Sequence, residues 1–263
     1  MHWSGRTQMM DGYPVPEALE RMVELGFTGA EICIEDIRFG VRERLLDPGY
    51  LGEVAAAART LGLATWSYSY HGDYIMDDLV LRRTIRTIEL TRHAETDVFV
   101  FSGRRLDKTK DADAQWRALV ERTRLLADAA EANGVKLALE TEPGFICGTT
   151  AQLLRLIDEV GSPSLMCNMD IGHAFLCDPD PVAAIRSLGP LIVHCHIDDM
   201  RRGVHDHLLP GEGEMDLAAI IAALDDVGFD GPAALDLYGY DYESVAERAL
   251  YELRRLRGRP DRA

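Results

Sequence analysis

The stretch Ile192–Asp216, IVHCHIDDMRRGVHDHLLPGEGEMD, carries four of the eight histidines and six acidic residues behind a short apolar run. Val193, Cys195 and Ile197 alternate with His194 and His196, which is the period of a β-strand, so both imidazoles share one face with His196 nearer the C-terminal end. His205 and His207 follow in the loop, ahead of the turn Gly211–Glu212–Gly213. A strand that ends on imidazoles and carboxylates reads as a metal site. Any one of these histidines is as readily a loop residue satisfied by local hydrogen bonds, but the cluster is less easily explained that way.

The same phrase recurs on either side. Leu165–Met169 delivers Asp170 and then His173, and Lys136–Leu139 ends on Glu140. Asp97–Phe101 ends at Ser102–Gly103–Arg104–Arg105, Leu63–Tyr70 runs into His71 and Asp73, and Ala30–Ile34 is a further strand. Downstream, Ala233–Leu237 carries Asp236, and the opening MHWSGRTQM is a first strand of poor pattern. Between these runs lie helical patterns: Pro16 to the terminator Gly26, Leu51–Leu61, Leu79–Thr91, Ala112–Ala132, Thr150–Val160, Pro181–Leu188, Met215–Val227 and Tyr242–Leu256, with residues 254–263 a basic tail expected to fray. Eight strands alternating with helices over 263 residues, with no Pro/Gly/Ser-rich linker, predict a single-domain (β/α)8 TIM barrel of the α/β class. A doubly wound open sheet is the runner-up, and the lack of a GxGxxG after the first strands weakens its dinucleotide-binding form.

A formal net charge of −16 repels phosphate backbones and anionic membranes, so small molecules are the expected partners, not nucleic acid or membrane. Five widely spaced cysteines with no CxxC read as free thiols in a reducing compartment. With neither a signal-peptide pattern nor a long apolar run, a cytoplasmic location is expected. A homo-oligomer is left open.

Glu140, Asp170, His196 and Asp236 each stand at the C-terminal end of a predicted strand, in four successive units, on the face where such barrels place their chemistry. Three carboxylates and one imidazole favour Mn²⁺, Mg²⁺ or Co²⁺ over a structural zinc site, which prefers thiolates. One divalent ion per chain is expected, Mn²⁺ first, with Zn²⁺ also open.

LALETEPG around Glu140, NMDIGHA around Asp170 and His173, HCHIDD around His196 and the following HDHLLPGEGEMD resemble the xylose isomerase-like TIM barrel superfamily of sugar phosphate isomerases and epimerases, which also includes the apurinic endonucleases. The ketose 3-epimerase pattern implies Glu140, Asp170 and His196 as metal ligands and His173 as a contact to a substrate oxygen. Its fourth ligand is a glutamate on the last strand, where this chain has Asp236, one methylene shorter. The endonuclease pattern is similar through His71, His205 and His207. Its three-zinc site also uses an aspartate at the place of His205 and a histidine on the fourth strand, where this chain has FSGRR, so DNA repair is not expected.

The expected function is thus a divalent-metal-dependent isomerase or epimerase of a sugar, sugar phosphate or related hydroxy-ketone, working by proton transfer through a metal-stabilised enediolate. Glu140, Asp236 and His173 are the catalytic candidates, with Glu140 the first choice of base. His71, Glu142, His173 and Arg201 are candidate substrate contacts. His205 and His207 are read as additional ligands or as supports of the site. A C-glycoside-cleaving lyase-type subunit and a non-catalytic ligand-binding barrel are the alternatives.

Overall fold

The computed structural model describes residues 1–10, 12–36 and 40–258. Eight parallel strands close into a barrel: β1 (His2–Arg6), β2 (Gly29–Cys33), β3 (Ala64–Ser69), β4 (Val98–Ser102), β5 (Lys136–Glu140), β6 (Leu165–Asp170), β7 (Ile192–Ile197) and β8 (Pro232–Leu235). They pair in chain order, and β8 returns to β1 through the register His2 with Pro232 and Ser4 with Ala234. Closure rules out the open sheet. It also arranges the strand ends in a ring, so that side chains distant in sequence converge.

Around the barrel run α1 (Val15–Glu24), α2 (Pro48–Thr60), α3 (Asp78–Leu90), α4 (Ala112–Asn133), α5 (Thr150–Val160), α6 (Ile171–Cys177), α7 (Pro181–Leu188), α8 (Leu217–Asp226) and α9 (Tyr242–Leu256). Their starts are chemically marked. Asp47, Asp77, Asp111, Asp180 and Asp216 each accept a backbone N–H in the first turn, and Thr149 with Gln152 forms a capping box. Among the described residues no helix is long and apolar enough to cross a membrane.

Three local features depart from the sequence pattern. The seven-residue α6 follows β6 directly because Asp170 caps it, its side chain accepting the His173 N–H at 2.7 Å. Strand β8 ends at Leu235, one residue before Asp236, whose N–H still donates to the Ile197 carbonyl at 3.0 Å and so stays in register with β7. A two-stranded hairpin pairs Glu35–Asp36 with Gly40–Val41 after β2. In the basic tail, residues 259–263 lie outside the described residues.

The long loop after β7 is folded around one carboxylate. Asp199 is buried and accepts N–H groups of Met200 (2.9 Å), Gly211 (2.9 Å), Gly213 (3.0 Å) and Met215 (3.1 Å), while its backbone pairs with Leu208. A Cβ on Gly213 would overlap that carboxyl group, which explains glycine there. His205 and His207 ride on this loop. Asp199→Asn turns an NH₂ toward N–H donors, and each donor left unpaired costs about 1–3 kcal/mol. The variant is expected to lose stability in denaturant unfolding and to show faster amide exchange at Gly211, Gly213 and Met215; unchanged protection there would count against this role.

Candidate metal centre

Glu140 closes β5, Asp170 closes β6, His196 lies one residue before the end of β7 and Asp236 lies one past β8. Each offers one ligand atom, all four atoms fall within 4.8 Å of one another, and all four residues are buried. His196 Nδ1 is 3.0 Å from Glu140 Oε2, 3.8 Å from Asp236 Oδ2 and 3.9 Å from Asp170 Oδ2. Several of the carboxylate oxygens are already engaged. Asp170 Oδ1 caps α6, Asp236 Oδ1 accepts from Arg6, and Glu140 Oε2 also accepts from Asn168 at 2.8 Å. Asp170 Oδ2, by contrast, is buried with no hydrogen-bond partner. Three carboxylates, one imidazole and an unsatisfied inward-facing oxygen are a donor set that fits an oxygen-preferring divalent cation.

The charges here shift one another strongly. Burial pushes the Glu140 carboxyl up, but His196 and His71 hold it well below the usual range. Burial does the same to Asp236, and Arg6, His196 and His207 hold it low. Burial and the neighbouring Glu140 raise Asp170, and the same two causes raise Glu142. Burial and Arg6 oppose a charge on His196, yet Glu140 and Glu31 outweigh them and push it to about 10.

Above the four residues opens a cavity of about 390 Å³, lined also by Arg6, Gln8, His71, Glu142, His173, His205, His207 and Tyr238. His71 places Nδ1 3.0 Å from Glu35 Oε1 and Nε2 3.4 Å from Glu140. His173 donates from Nδ1 to the Thr141 carbonyl at 2.9 Å and turns Nε2 to within 2.8 Å of His205 Nε2. His207 Nε2 is 2.9 Å from the same atom of His205, and its backbone takes a positive φ of 32°, uncommon outside glycine. Burial, with His173 and His207 adjacent, pushes His205 down to about 4. His207 Nδ1 forms an ion pair with Asp198 at 2.7 Å, and both Asp198 oxygens lack a well-directed hydrogen bond.

A larger cavity of about 760 Å³ opens at the other end of the barrel, around the strand starts Ala64, Val98, Lys136, Ile192 and Pro232. None of the described His, Cys, Asp and Glu clusters with metal-ligand spacing lies there. Two of the four candidate ligands, Glu140 and Asp236, line the smaller cavity.

Of the residues singled out in the sequence, Glu140, Glu142, Asp170, His71, His173, His196, His205, His207 and Asp236 come together at this mouth. Arg201 does not. Its exposed side chain pairs with Asp206 at 2.6 Å. His194 sits below, donating to Asn168 Oδ1 (2.8 Å) and accepting from Ser67 (3.0 Å), with burial pushing it down to about 3. Sequence reading passed over Glu31, Asn168 and Tyr238. For Glu31 the signal was a lone charge inside the otherwise buried strand GAEIC.

The family model described as xylose isomerase-like TIM barrel matches residues 19–258. The chain belongs to this family. Among relatives, a fructoselysine 3-epimerase of Shigella flexneri is 24% identical over 264 residues, covering 92% of this chain and 93% of that protein. A 3-dehydroshikimate dehydratase of Pseudomonas putida is 27% identical over 250 residues, covering 89% of this chain but only 38% of that protein. A Methanocaldococcus jannaschii relative is likewise matched over only 40% of its length. The solved IolI protein with a bound zinc atom superposes with a TM-score of 0.79 at 19% identity over 98% of this chain and 96% of that one, a likeness of fold. Relatives with an activity in their names include 3-epimerases and dehydratases.

Because the folded chain holds the His196 proton to about 10, against about 6.5 for an unfolded histidine, that proton stabilises the metal-free fold fully below about pH 6.5. The stabilisation is lost as pH rises toward 10. The metal-free protein is therefore expected to melt at progressively lower temperature across that window, and binding of a divalent ion at pH 7 should release about one proton. Calorimetry in buffers of different ionisation enthalpy measures this release; none would contradict a protonated His196 in the metal-free site.

Proposed function

We propose that this chain is a divalent-metal-dependent isomerase or epimerase of a sugar, sugar phosphate or related hydroxy-ketone, moving a proton on the carbon next to a carbonyl. The observation that carries this reading is the convergence of Glu140, Asp170, His196 and Asp236 beneath the cavity, with Asp170 Oδ2 unsatisfied. Those four residues would hold the ion, Mn²⁺ first among the candidates because the set is rich in oxygen. When bound, the ion supplies positive charge that acidifies the adjacent C–H and offsets charge developing on the carbonyl oxygen.

The chain's own residues divide the remaining work. Glu140 is ionised and faces the cavity, so it is the first candidate to take the proton, with Glu142 next. Asp236 has one oxygen tied to Arg6 and is shorter than the glutamate of the pattern, so it acts as a ligand first and as a base only weakly. His173, anchored by Thr141, offers Nε2 to a substrate oxygen, and His71 and Glu142 line the same space. The convergent Nε2 atoms of His173, His205 and His207 would share protons or hold a second cation. One ion per chain is the expected stoichiometry, and two by elemental analysis would add the histidine trio to the metal set. The partner is a small carbohydrate, and the cytoplasm is the proposed location.

A dehydratase reading has support from the Pseudomonas putida relative, because loss of water from a β-hydroxy-ketone begins with the same proton removal. Incubating the metal-loaded protein with a panel of ketoses in D₂O separates the two: deuterium beside the carbonyl with sugar recovered supports isomerase chemistry, and an absorbing unsaturated ketone supports dehydration. Neither outcome across a broad panel would sink both. Replacing His196 by Ala should abolish metal binding with the barrel still folded, and unchanged metal content would refute the ligand assignment. Glu140→Gln is expected to lower turnover roughly a hundred- to ten-thousand-fold, the usual contribution of a positioned base. Near-normal turnover would move the base to Glu142 or His173.

A further inference from the structure

We infer that Glu31, on β2 and outside the four ligands, is the positioning residue that fixes which nitrogen of His196 faces a metal ion and, through Arg6, which oxygen of Asp236 does. This rests on the metal reading above. Glu31 is fully buried inside the barrel. Its Oε2 lies 3.0 Å from His196 Nε2, and its Oε1 accepts from Arg6 Nε at 3.1 Å. Arg6 in turn donates from Nη1 to Asp236 Oδ1 and from Nη2 to Gln8 at 3.2 Å. One carboxylate therefore ties together two of the four ligand residues.

The consequence for His196 follows from its two ring nitrogens. A carboxylate can only accept, so Nε2 keeps the proton that points at Glu31, and Nδ1, on the side of Glu140, Asp170 and Asp236, is the nitrogen that would give up its proton and offer a lone pair to an ion. The neighbouring His194 has Nε2 3.4 Å from the same Glu31 oxygen, farther than the 3.0 Å of His196, and its hydrogen bonds go elsewhere, Nδ1 donating to Asn168 and Nε2 accepting the Ser67 hydroxyl. Arg6 does to Asp236 what Glu31 does to His196, holding Oδ1 so that Oδ2 faces the site. The β2–β3 register shifts between Ala30 and Glu31, so that Ala30 pairs with Thr65 but Glu31 with Ser67, and such irregularities re-aim side chains beside functional sites. The same carboxylate, with His194 and His196, also has the spacing of a ligand group, which makes a Glu31-bound ion the competing outcome.

The test uses the full chain with ¹⁵N-labelled histidine, loaded with ¹¹³Cd²⁺. Coupling from cadmium to Nδ1 of His196, with a proton retained on Nε2, is expected; coupling to Nε2 would overturn the assignment. Glu31→Gln can satisfy either Arg6 or His196 but not both, because its NH₂ must face one of them. It is expected to raise the Mn²⁺ dissociation constant about 10- to 100-fold and to scramble the nitrogen that couples, with the circular dichroism of the barrel retained. If loss of the Glu31–Arg6 ion pair prevents folding, Arg6→Met with Glu31→Gln removes both of its charges, and the same weakening is expected. Affinity within twofold of the parent in a folded variant would refute the role of Glu31 while leaving the ligand set standing. A parent protein that binds no divalent ion would refute the site itself, and Glu31 with it.

Discussion

Six acidic side chains are buried among the described residues (Glu31, Glu140, Asp170, Asp198, Asp199 and Asp236), against one buried arginine, Arg6. A buried carboxylate is costly unless something pairs with it, so the barrel mouth is organised by how each one is neutralised. Asp199 takes four backbone N–H groups and thereby folds the loop that carries His205 and His207. Glu31 and Asp236 share Arg6, and Glu140 leans on His196, His71 and Asn168. After these pairings Asp170 Oδ2 and both Asp198 oxygens still lack a directed hydrogen bond. The buried carboxylates are concentrated at one end of one barrel, which is where a cation gains most.

That arrangement also explains the histidines. Burial alone would keep every one of them neutral, yet His196 and His207 are pushed to about 10 by the carboxylates around them, while His194 and His205 are held down near 3 and 4. Four imidazoles of one strand and one loop thus fall into two classes according to whether a carboxylate oxygen faces them within 3.0 Å, as it does His196 and His207; Glu31 lies 3.4 Å from His194, where burial outweighs it. Those that face one carry protons that a metal ion can displace, so the metal-free fold is held together by protons at the positions an ion would take.

The barrel was legible because hydrophobic runs of strand length alternate with amphipathic helices all along the chain, and the four candidate ligands were legible because they stand where such runs stop. What sequence could not show is what happens inside the barrel. Strand β1 has a poor pattern because Arg6 points inward to meet Glu31 and Asp236, so its inner face is polar where a core strand is expected to be apolar. Glu31 looked like an interruption of a buried strand because its partners, Arg6 and His196, are 25 and 165 residues away. Helix α6 was hidden by a residue with two tasks: Asp170 reads as a ligand, and its other oxygen starts a helix. Arg201 reads as a rim cation, but a loop folded around Asp199 leaves it outside with Asp206.

Asp236 shows how the pieces depend on one another. A side chain one methylene shorter than the glutamate of the ketose 3-epimerase pattern would fall short of a shared site unless something held it. Here Arg6 fixes one oxygen and the N–H of residue 236 is tied to Ile197 on the strand that carries His196. The carboxylate is thus anchored from both its side chain and its backbone, and it reaches 3.8 Å from His196 Nδ1 with its free oxygen. Anchoring of that kind suits a ligand, which has to stay still, better than a base, which has to approach a carbon as the substrate changes shape. In the proposed reaction it leaves proton transfer to the groups on the open side of the cavity, where Glu140 ends β5, Glu142 follows two residues on and His173 stands on α6.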